Sequence, residues 1–362
     1  MFTRRMEEVS GKPARLFRIL EDGRLMCTAC ARYCRLKNGQ IGFCGIRKNV
    51  DGTLYLLVYG KVISAHVDPI EKKPVTHYAP GTKIFSIATT GCSWMCQYCL
   101  NFDISQRRRV DGVDVTPEKI VKMAKKYGSH GIAYTYNEPS IYMEFAHDIG
   151  VIARREGLIN IFVTNGYWPD GVNEAKDFLD AATIDFKGNG EVEFLRKYVG
   201  VPDPEPIFQT LLELKNKTRV HIEITDLVIP KIGDNLEAAN KLVKWVYDNL
   251  GPDTPIHFLR FHPDYRLLHL PLTPVKTLEK HYELAREAGL KYVYIGNVPG
   301  HPYESTYCPE CGKIVVERRG FDILGWYLDE ENKCRFCGYK IAIHGTPPPD
   351  YRTSRFAPVF FE

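Results

Sequence analysis

The chain has 362 residues, 44% of them hydrophobic and 25% charged, with a net charge of +4 and a pI near 8.4. That balance excludes wholesale disorder, and the lack of a clustered basic face argues against a nucleic-acid partner. No run approaches the ~18 apolar residues of a membrane helix, and "MFTRRMEEVSGKPARLF" lacks the apolar stretch of a signal peptide. A cytoplasmic protein with no membrane partner is expected. In that compartment eleven cysteines at short spacings point to metal or redox chemistry rather than to disulfides.

The cysteines fall into groups of four, three and four with none left over. The first, Cys27, Cys30, Cys34 and Cys44, lies in "CTACARYC" and "GFCG". Zinc and a 4Fe-4S cluster both accept four thiolates, so the metal at this group stays open. Next comes "DPIEKKP", whose Lys72 and Lys73 face either an anionic substrate or water.

From Lys83 onward β-rich runs alternate with amphipathic segments of helical length. Strands are predicted at 83–89, 131–136, 160–165, 182–187, 220–229, 256–261 and 292–296. Thr116 with Pro117 reads as a helix start. In "GDNLEAANKLVKWVYDNLG", Asp234 reads as an N-cap, Leu236, Ala239, Leu242 and Val246 as the buried stripe, and Gly251 as the stop. Such repeated units predict a parallel sheet, open or curled into a barrel, with ligands at the carboxyl ends of its strands.

The second cysteine group, Cys92, Cys96 and Cys99 in "TTGCSWMCQYCLNFDIS", directly follows the first of these strands. A cubane cluster on three thiolates keeps one iron open for a ligand that is not protein. Arg107, Arg108 and Arg109 come after it as a solvated run. Beyond the last strand, "GNVPGHPYESTY" carries His301 and Glu304, candidates for acid-base work or for tethering the C-terminal module. The final group, Cys308, Cys311, Cys334 and Cys337, forms two C-x-x-C-G knuckles, the pattern of a closed structural zinc site.

With its C-x-x-x-C-x-aromatic-C triplet after a strand, the chain resembles the radical S-adenosylmethionine (SAM) superfamily. The resemblance implies an α/β fold, a partial (β/α)6 TIM-like barrel, with small Cys-rich modules at both ends: residues 1–82, then the barrel at 83–300, then 301–362. It implies a 4Fe-4S cluster on Cys92, Cys96 and Cys99 whose open iron is chelated by SAM. "YTYNEPS" resembles the family's Gly-Gly-Glu-Pro position and places Asn137 and Glu138 near the SAM amino group. Tyr98, before the third cysteine, would face adenine. "VTNG" and "DFKG" resemble the pyruvate formate-lyase activase branch and bring Asn165, Asp185 and Lys187 to SAM, while "LRFHP" supplies His262.

The longer stretches "CTACARYCRLKNGQIGFCGIRKN", "DPIEKKPVTHYAPGTK" and "GNVPGHPYESTYCPECGK" are similar to AmmeMemoRadiSam-system radical SAM enzymes. Leu100 departs from the Gln that is common there. The implied activity is reductive cleavage of SAM to a 5'-deoxyadenosyl radical that abstracts hydrogen from a small-molecule or protein substrate. The implied partners are a reductant such as ferredoxin or flavodoxin and Memo-like and AMMECR-like proteins; the implied cofactors are SAM, 4Fe-4S and zinc, with a second 4Fe-4S cluster if the first group takes iron. Two other readings stand beside it: an activase for a glycyl-radical enzyme, and a non-catalytic zinc protein that binds nucleic acid or acts as a scaffold.

Overall fold

Strands buried on both faces need apolar or small residues throughout, and the segments from Lys83 onward supply them. The computed structural model describes residues 10–351 and 356–361. It contains β1 (Ser64–Pro69), β2 (Lys83–Ala88), α1 (Pro117–Lys126), β3 (Gly131–Tyr134), α2 (Met143–Arg155), β4 (Ile159–Thr164) and β5 (Ala181–Lys187). These are followed by α3 (Glu205–Lys217), β6 (His221–Val228), α4 (Leu236–Leu250), β7 (Ile256–Arg260), α5 (Val275–Glu287) and β8 (Val293–Gly296).

Strands β2 to β8 run parallel in chain order. They are the seven segments read as strands, one more than a six-stranded partial barrel holds. Antiparallel β1 extends the β2 edge, and a returning tail strand, Ala357–Pro358, pairs with β1 in turn. The sheet is therefore open. Along each strand alternate residues take opposite faces. Phe85, Ile87, Phe162, Ile184, Phe186 and Phe258 share one apolar cluster with Ile149, Leu211, Val246 and Leu278 of the helices. The other face carries smaller and polar side chains, among them Ser86, Ala133, Thr183 and Thr225, all buried.

The caps match the sequence with one shift. Thr116 Oγ1 accepts the Lys119 amide at 3.2 Å as expected. At α4, however, the cap is Asn235, whose Oδ1 accepts from Glu237 and Ala238, in place of Asp234. Moving the start by one residue leaves Leu236 37% exposed, and Val243 and Leu250 complete the buried stripe with Ala239, Leu242 and Val246. Gly251 ends the helix at φ 102°.

Before the sheet, two small antiparallel ribbons carry the first cysteine group. One joins Phe17–Ile19, Leu25–Cys27 and Arg35–Leu36; the other joins Lys12–Pro13, Arg47–Val50 and Thr53–Leu56. They are fastened to α2 by an ion pair between Arg47 and Glu144, whose side chains are 1% and 3% exposed. Arg47 Nε also donates to the Ile141 carbonyl at 2.7 Å, and Glu144 accepts the Arg15 amide at 2.9 Å. The pair is fully bonded, the condition under which a buried charge is tolerated.

After β8, the strands β9 (Thr306–Tyr307), β10 (Ile314–Arg319) and β11 (Asp322–Trp326) form an antiparallel sheet. Its core residues Val315, Val316, Ile323 and Ile341 share a cluster with Tyr292 and Tyr294, so this unit is built onto the last parallel strand. Among the described residues no helix is long and apolar enough to cross a membrane.

Candidate active site at the strand ends

The loop that leaves β2 carries Cys92, Cys96 and Cys99, and other segments brace it through backbone contacts. Gly91 donates to the Ile104 carbonyl at 3.1 Å, Met95 to Val199 at 3.1 Å and Gln97 to Tyr198 at 2.9 Å. Gly91 has φ +86°, and a Cβ there would stand 2.4 Å from the Cys44 carbonyl, so this position requires glycine. Cys92 accepts the Trp94 amide at 3.4 Å, and Cys99 lies 3.1 Å from Ser105 Oγ. Burial pushes the Cys96 thiol up to about 12 and raises Cys92 and Cys99 in the same direction. Thiols so placed ionise only when a cation compensates them.

The ends of the next three strands converge on this loop. Asn137, two residues past β3's neighbour Thr135, donates through Nδ2 to Thr89 Oγ1 at 3.2 Å and to the Gly91 carbonyl at 2.9 Å. Its buried Oδ1 has no hydrogen-bond partner among the described residues. Glu138 Oε1 accepts Thr164 Oγ1 at 2.7 Å and the Ser140 amide at 3.0 Å, while Oε2 accepts the Asn165 amide at 2.8 Å. Burial lifts this carboxyl to about 7. Asn165 Nδ2 reaches Ser93 Oγ at 3.0 Å and so holds the cysteine loop itself. Asp185 and Lys187, alternate residues on β5, form an ion pair at 3.0 Å. Burial opposes the ammonium, but Asp185 and the Cys96 and Cys99 thiols outweigh it and raise Lys187.

Other expected residues are placed differently. Tyr98 is buried against Phe194, with ring centres 5.9 Å apart. His262 stands exposed beyond the end of β7. His301 accepts the Tyr303 amide at 3.2 Å and contacts Glu279 of α5 at 3.3 Å. Glu304 accepts the Gly300 and Gly320 amides at 2.8 and 3.1 Å. The His301–Glu279 contact ties the C-terminal unit to α5, and Glu304 fastens its own loop to the turn between β10 and β11. Lys73 is not offered to solvent: it is 2% exposed, bonded to Asp68 at 2.7 Å, and burial pushes it down to about 8. Lys72 pairs with the other oxygen of Asp68 at 2.8 Å.

A cavity of about 190 Å³ opens on the inner face of the sheet, lined by Glu71, Thr76, His257, Tyr294, Glu304 and Arg318. Strand register ties it to the cysteine loop: Thr225 stands opposite Asp185 on one side and His257 on the other, and its hydroxyl donates to Asp185. His257 is fixed by Glu223 at 2.7 Å and stacks on Tyr294. A register shift beside Arg318 in β10 turns this side chain inward. Its two terminal nitrogens bond Thr306 and the Thr76 carbonyl at 2.6 and 3.1 Å, while the buried Nε has no partner among the described residues.

Two site residues escaped the sequence reading: His257 and Arg318. A histidine inside "IHFLRF" stands out as a polar residue in an apolar strand, and that was the signal available. Arg318 gave none, because its inward turn depends on the bulge.

The Radical SAM superfamily model matches residues 86–246, the span from β2 through α4 that holds the triplet, Asn137, Glu138, Asn165, Asp185 and Lys187. Residues 86–246 of the chain are a radical SAM superfamily domain. An uncharacterized protein of Methanocaldococcus jannaschii is 44% identical to this chain over 335 residues, covering 92% of this chain and 99% of that one. A radical SAM methyltransferase from Sphaerobacter thermophilus superposes with a TM-score of 0.48 at 13% identity, over 65% of this chain and 71% of that one. A domain of pyruvate-formate lyase-activating enzyme from Bacteroides vulgatus superposes with a TM-score of 0.41 at 15% identity, over 47% and 100%. The domain implies SAM and a 4Fe-4S cluster.

The C-terminal cysteines gather as a compact set of thiols able to hold a metal ion. All four sulfurs lie within 4.8 Å of one another, with Cys308 3.6 Å from Cys337 and Cys311 3.7 Å from Cys334. The glycines that close the knuckles, Gly312 and Gly338, have φ of 71° and 80°.

Proposed function

We propose that this protein is a radical SAM enzyme that uses Cys92, Cys96 and Cys99 to hold a 4Fe-4S cluster and acts on a small molecule bound in the cavity beside β7 and β8. Bound there, cluster and SAM together supply a 5'-deoxyadenosyl radical able to abstract hydrogen. The observation that carries this reading is the convergence of Asn137, Glu138, Asn165, Asp185 and Lys187 on the three-cysteine loop.

The residues fit the cofactor. Asn137 Oδ1, a buried acceptor without a partner among the described residues, suits an ammonium donor such as the SAM amine. The Lys187 ammonium suits a carboxylate and Asp185 suits ribose hydroxyls. Glu138, with three donors already bound, is a positioning residue that locks the ends of β3 and β4 together. On the substrate side, Arg318 and His257 line the cavity, so it suits a small molecule with an anionic or carbonyl oxygen. Its volume favours this over a protein segment.

The compact C-terminal quartet fits zinc: a tetrahedral ion with Zn–S of about 2.3 Å sets its sulfurs about 3.8 Å apart. Memo-like and AMMECR-like partners are proposed on the motif resemblance alone.

The test is anaerobic reconstitution followed by SAM and dithionite, with 5'-deoxyadenosine as the readout. The wild type forms the nucleoside and Cys96→Ala does not. A wild type that takes up zinc but no iron would sink the reading.

A further inference from the structure

Two observations bracket the N-terminal quartet. Cys27, Cys30, Cys34 and Cys44 all lie within electrostatic reach of one another. Each sulfur also receives backbone amides: Ala29 for Cys27, Arg32 for Cys30, Phe43 at 3.4 Å for Cys34, and Ile46 and Arg47 for Cys44. Four sulfurs so provided form a ligand set. Yet no three of them come within 4.8 Å of one another, whereas all four of the C-terminal quartet do. A single zinc ion draws its sulfurs to about 3.8 Å. A wider cradle suits a four-iron cube, which spends one thiolate on each iron.

The position of this cradle gives it a role. The Cys44 carbonyl packs on Gly91, the residue before Cys92. Arg108 lies within electrostatic reach of both Cys44 and Cys92 and donates to the Phe43 carbonyl at 3.0 Å. Arg32 and Arg108 both stack on the Phe43 ring, 3.6 and 3.8 Å from its centre. They place two guanidinium groups beside the quartet, which favours the reduced, more negative state of a cluster, while the nearby Arg47 is already paired with Glu144. Cys34 is half-buried beside exposed Arg35 and Lys37, an approach suited to an acidic carrier protein.

We propose that Cys27, Cys30, Cys34 and Cys44 hold a second 4Fe-4S cluster that takes one electron from an acidic, low-potential carrier protein and passes it to the cluster on Cys92, Cys96 and Cys99. The carrier is oxidised by one electron and the inner cluster reduced by one; no bond is made or broken and no proton moves. The relay rests on the radical SAM reading, whereas the identity of the metal does not.

The experiment uses the full chain, reconstituted anaerobically. Wild type is expected to hold about eight iron atoms and one zinc per chain. A Cys92→Ala/Cys96→Ala/Cys99→Ala variant should keep about four irons and give the paramagnetic signal of a reduced cluster with reduced flavodoxin. In Cys30→Ala/Cys34→Ala, the flavodoxin-driven rate of 5'-deoxyadenosine formation should fall at least tenfold relative to the dithionite-driven rate. Two zincs per chain in wild type, or zinc in place of iron in the triple variant, overturns the cluster. An unchanged flavodoxin-to-dithionite ratio overturns the relay. If Cys30→Ala/Cys34→Ala fails to fold, the triple variant decides the metal. If wild type holds both clusters but forms no nucleoside with either reductant, the second cluster is supported and the relay falls with the radical SAM reading.

Discussion

Asp226 shows how a single buried carboxylate records its surroundings. It is fully buried in β6, Oδ1 accepts the Asn189 amide at 3.0 Å, and Oδ2 has no partner among the described residues. Burial lifts it to about 7 from an ordinary value of 3.8. A raised acid stabilises the fold below its unfolded pKa, and that contribution is lost as pH rises through the folded value. An amide at this position would keep the accepting oxygen without the charge. Asp226→Asn should therefore gain on wild type between pH 4 and 7, ending a few kcal/mol more stable above pH 7. Denaturant melts of both proteins across this range measure it, and parallel curves would refute the assignment.

Elements depend on one another through a few fastenings of this kind. The N-terminal ribbons hang on Arg47 and Glu144, and removal of one partner leaves a buried charge without compensation. Glu144→Ala should cost about 3–5 kcal/mol and loosen the quartet of Cys27, Cys30, Cys34 and Cys44, so iron retention and thermal melting should fall together. At the other end, a chelator strong enough to strip the C-terminal quartet should open residues 306–345 to proteolysis while the parallel sheet persists. That unit has a core of its own only in part, because Tyr292 and Tyr294 belong to both. Digestion that spreads through the sheet at the same metal occupancy would show that the two fold as one.

The parts legible in sequence were those that local pattern dictates: seven strands with apolar alternation, the Thr116 cap, and three cysteine groups with characteristic spacing. The site residues at strand ends were legible where a motif marked them, as with Asn137, Glu138 and the Asp185–Lys187 pair. What escaped required three dimensions. Asp234 and Asn235 are equal as caps on paper, and the geometry of the turn chose between them. Lys73 in "DPIEKKP" reads as facing either an anionic substrate or water, because nothing local reveals that it turns back onto Asp68 beneath the Tyr136 ring.

Over the whole molecule, Glu223 is the tie that joins the inner face of the sheet to the segment lying across it. It accepts the amides of Thr76 and His77 at 2.9 and 2.7 Å and contacts His221 and His257 at 3.1 and 2.7 Å. Burial works against its charge, but the bonds from His221 and His257 outweigh it and hold the carboxyl well below its ordinary value of 4.5. A depressed acid stabilises above its unfolded pKa and loses that contribution as pH falls through the folded one. Glu223→Gln should be less stable than wild type at pH 7 by a few kcal/mol, with the deficit shrinking below pH 4.5. A deficit that stays constant on acidification would contradict this.

The returning strand Ala357–Pro358, which covers the β1 edge, follows all of the parallel strands in chain order. During synthesis the ribosome still holds this segment after every parallel strand has emerged. The nascent sheet must therefore wait with its β1 edge unpaired, the state in which a strand recruits a neighbouring chain. Polysomes crowd such intermediates together, so poor recovery on overexpression would trace to this late closure rather than to any weakness of the finished fold.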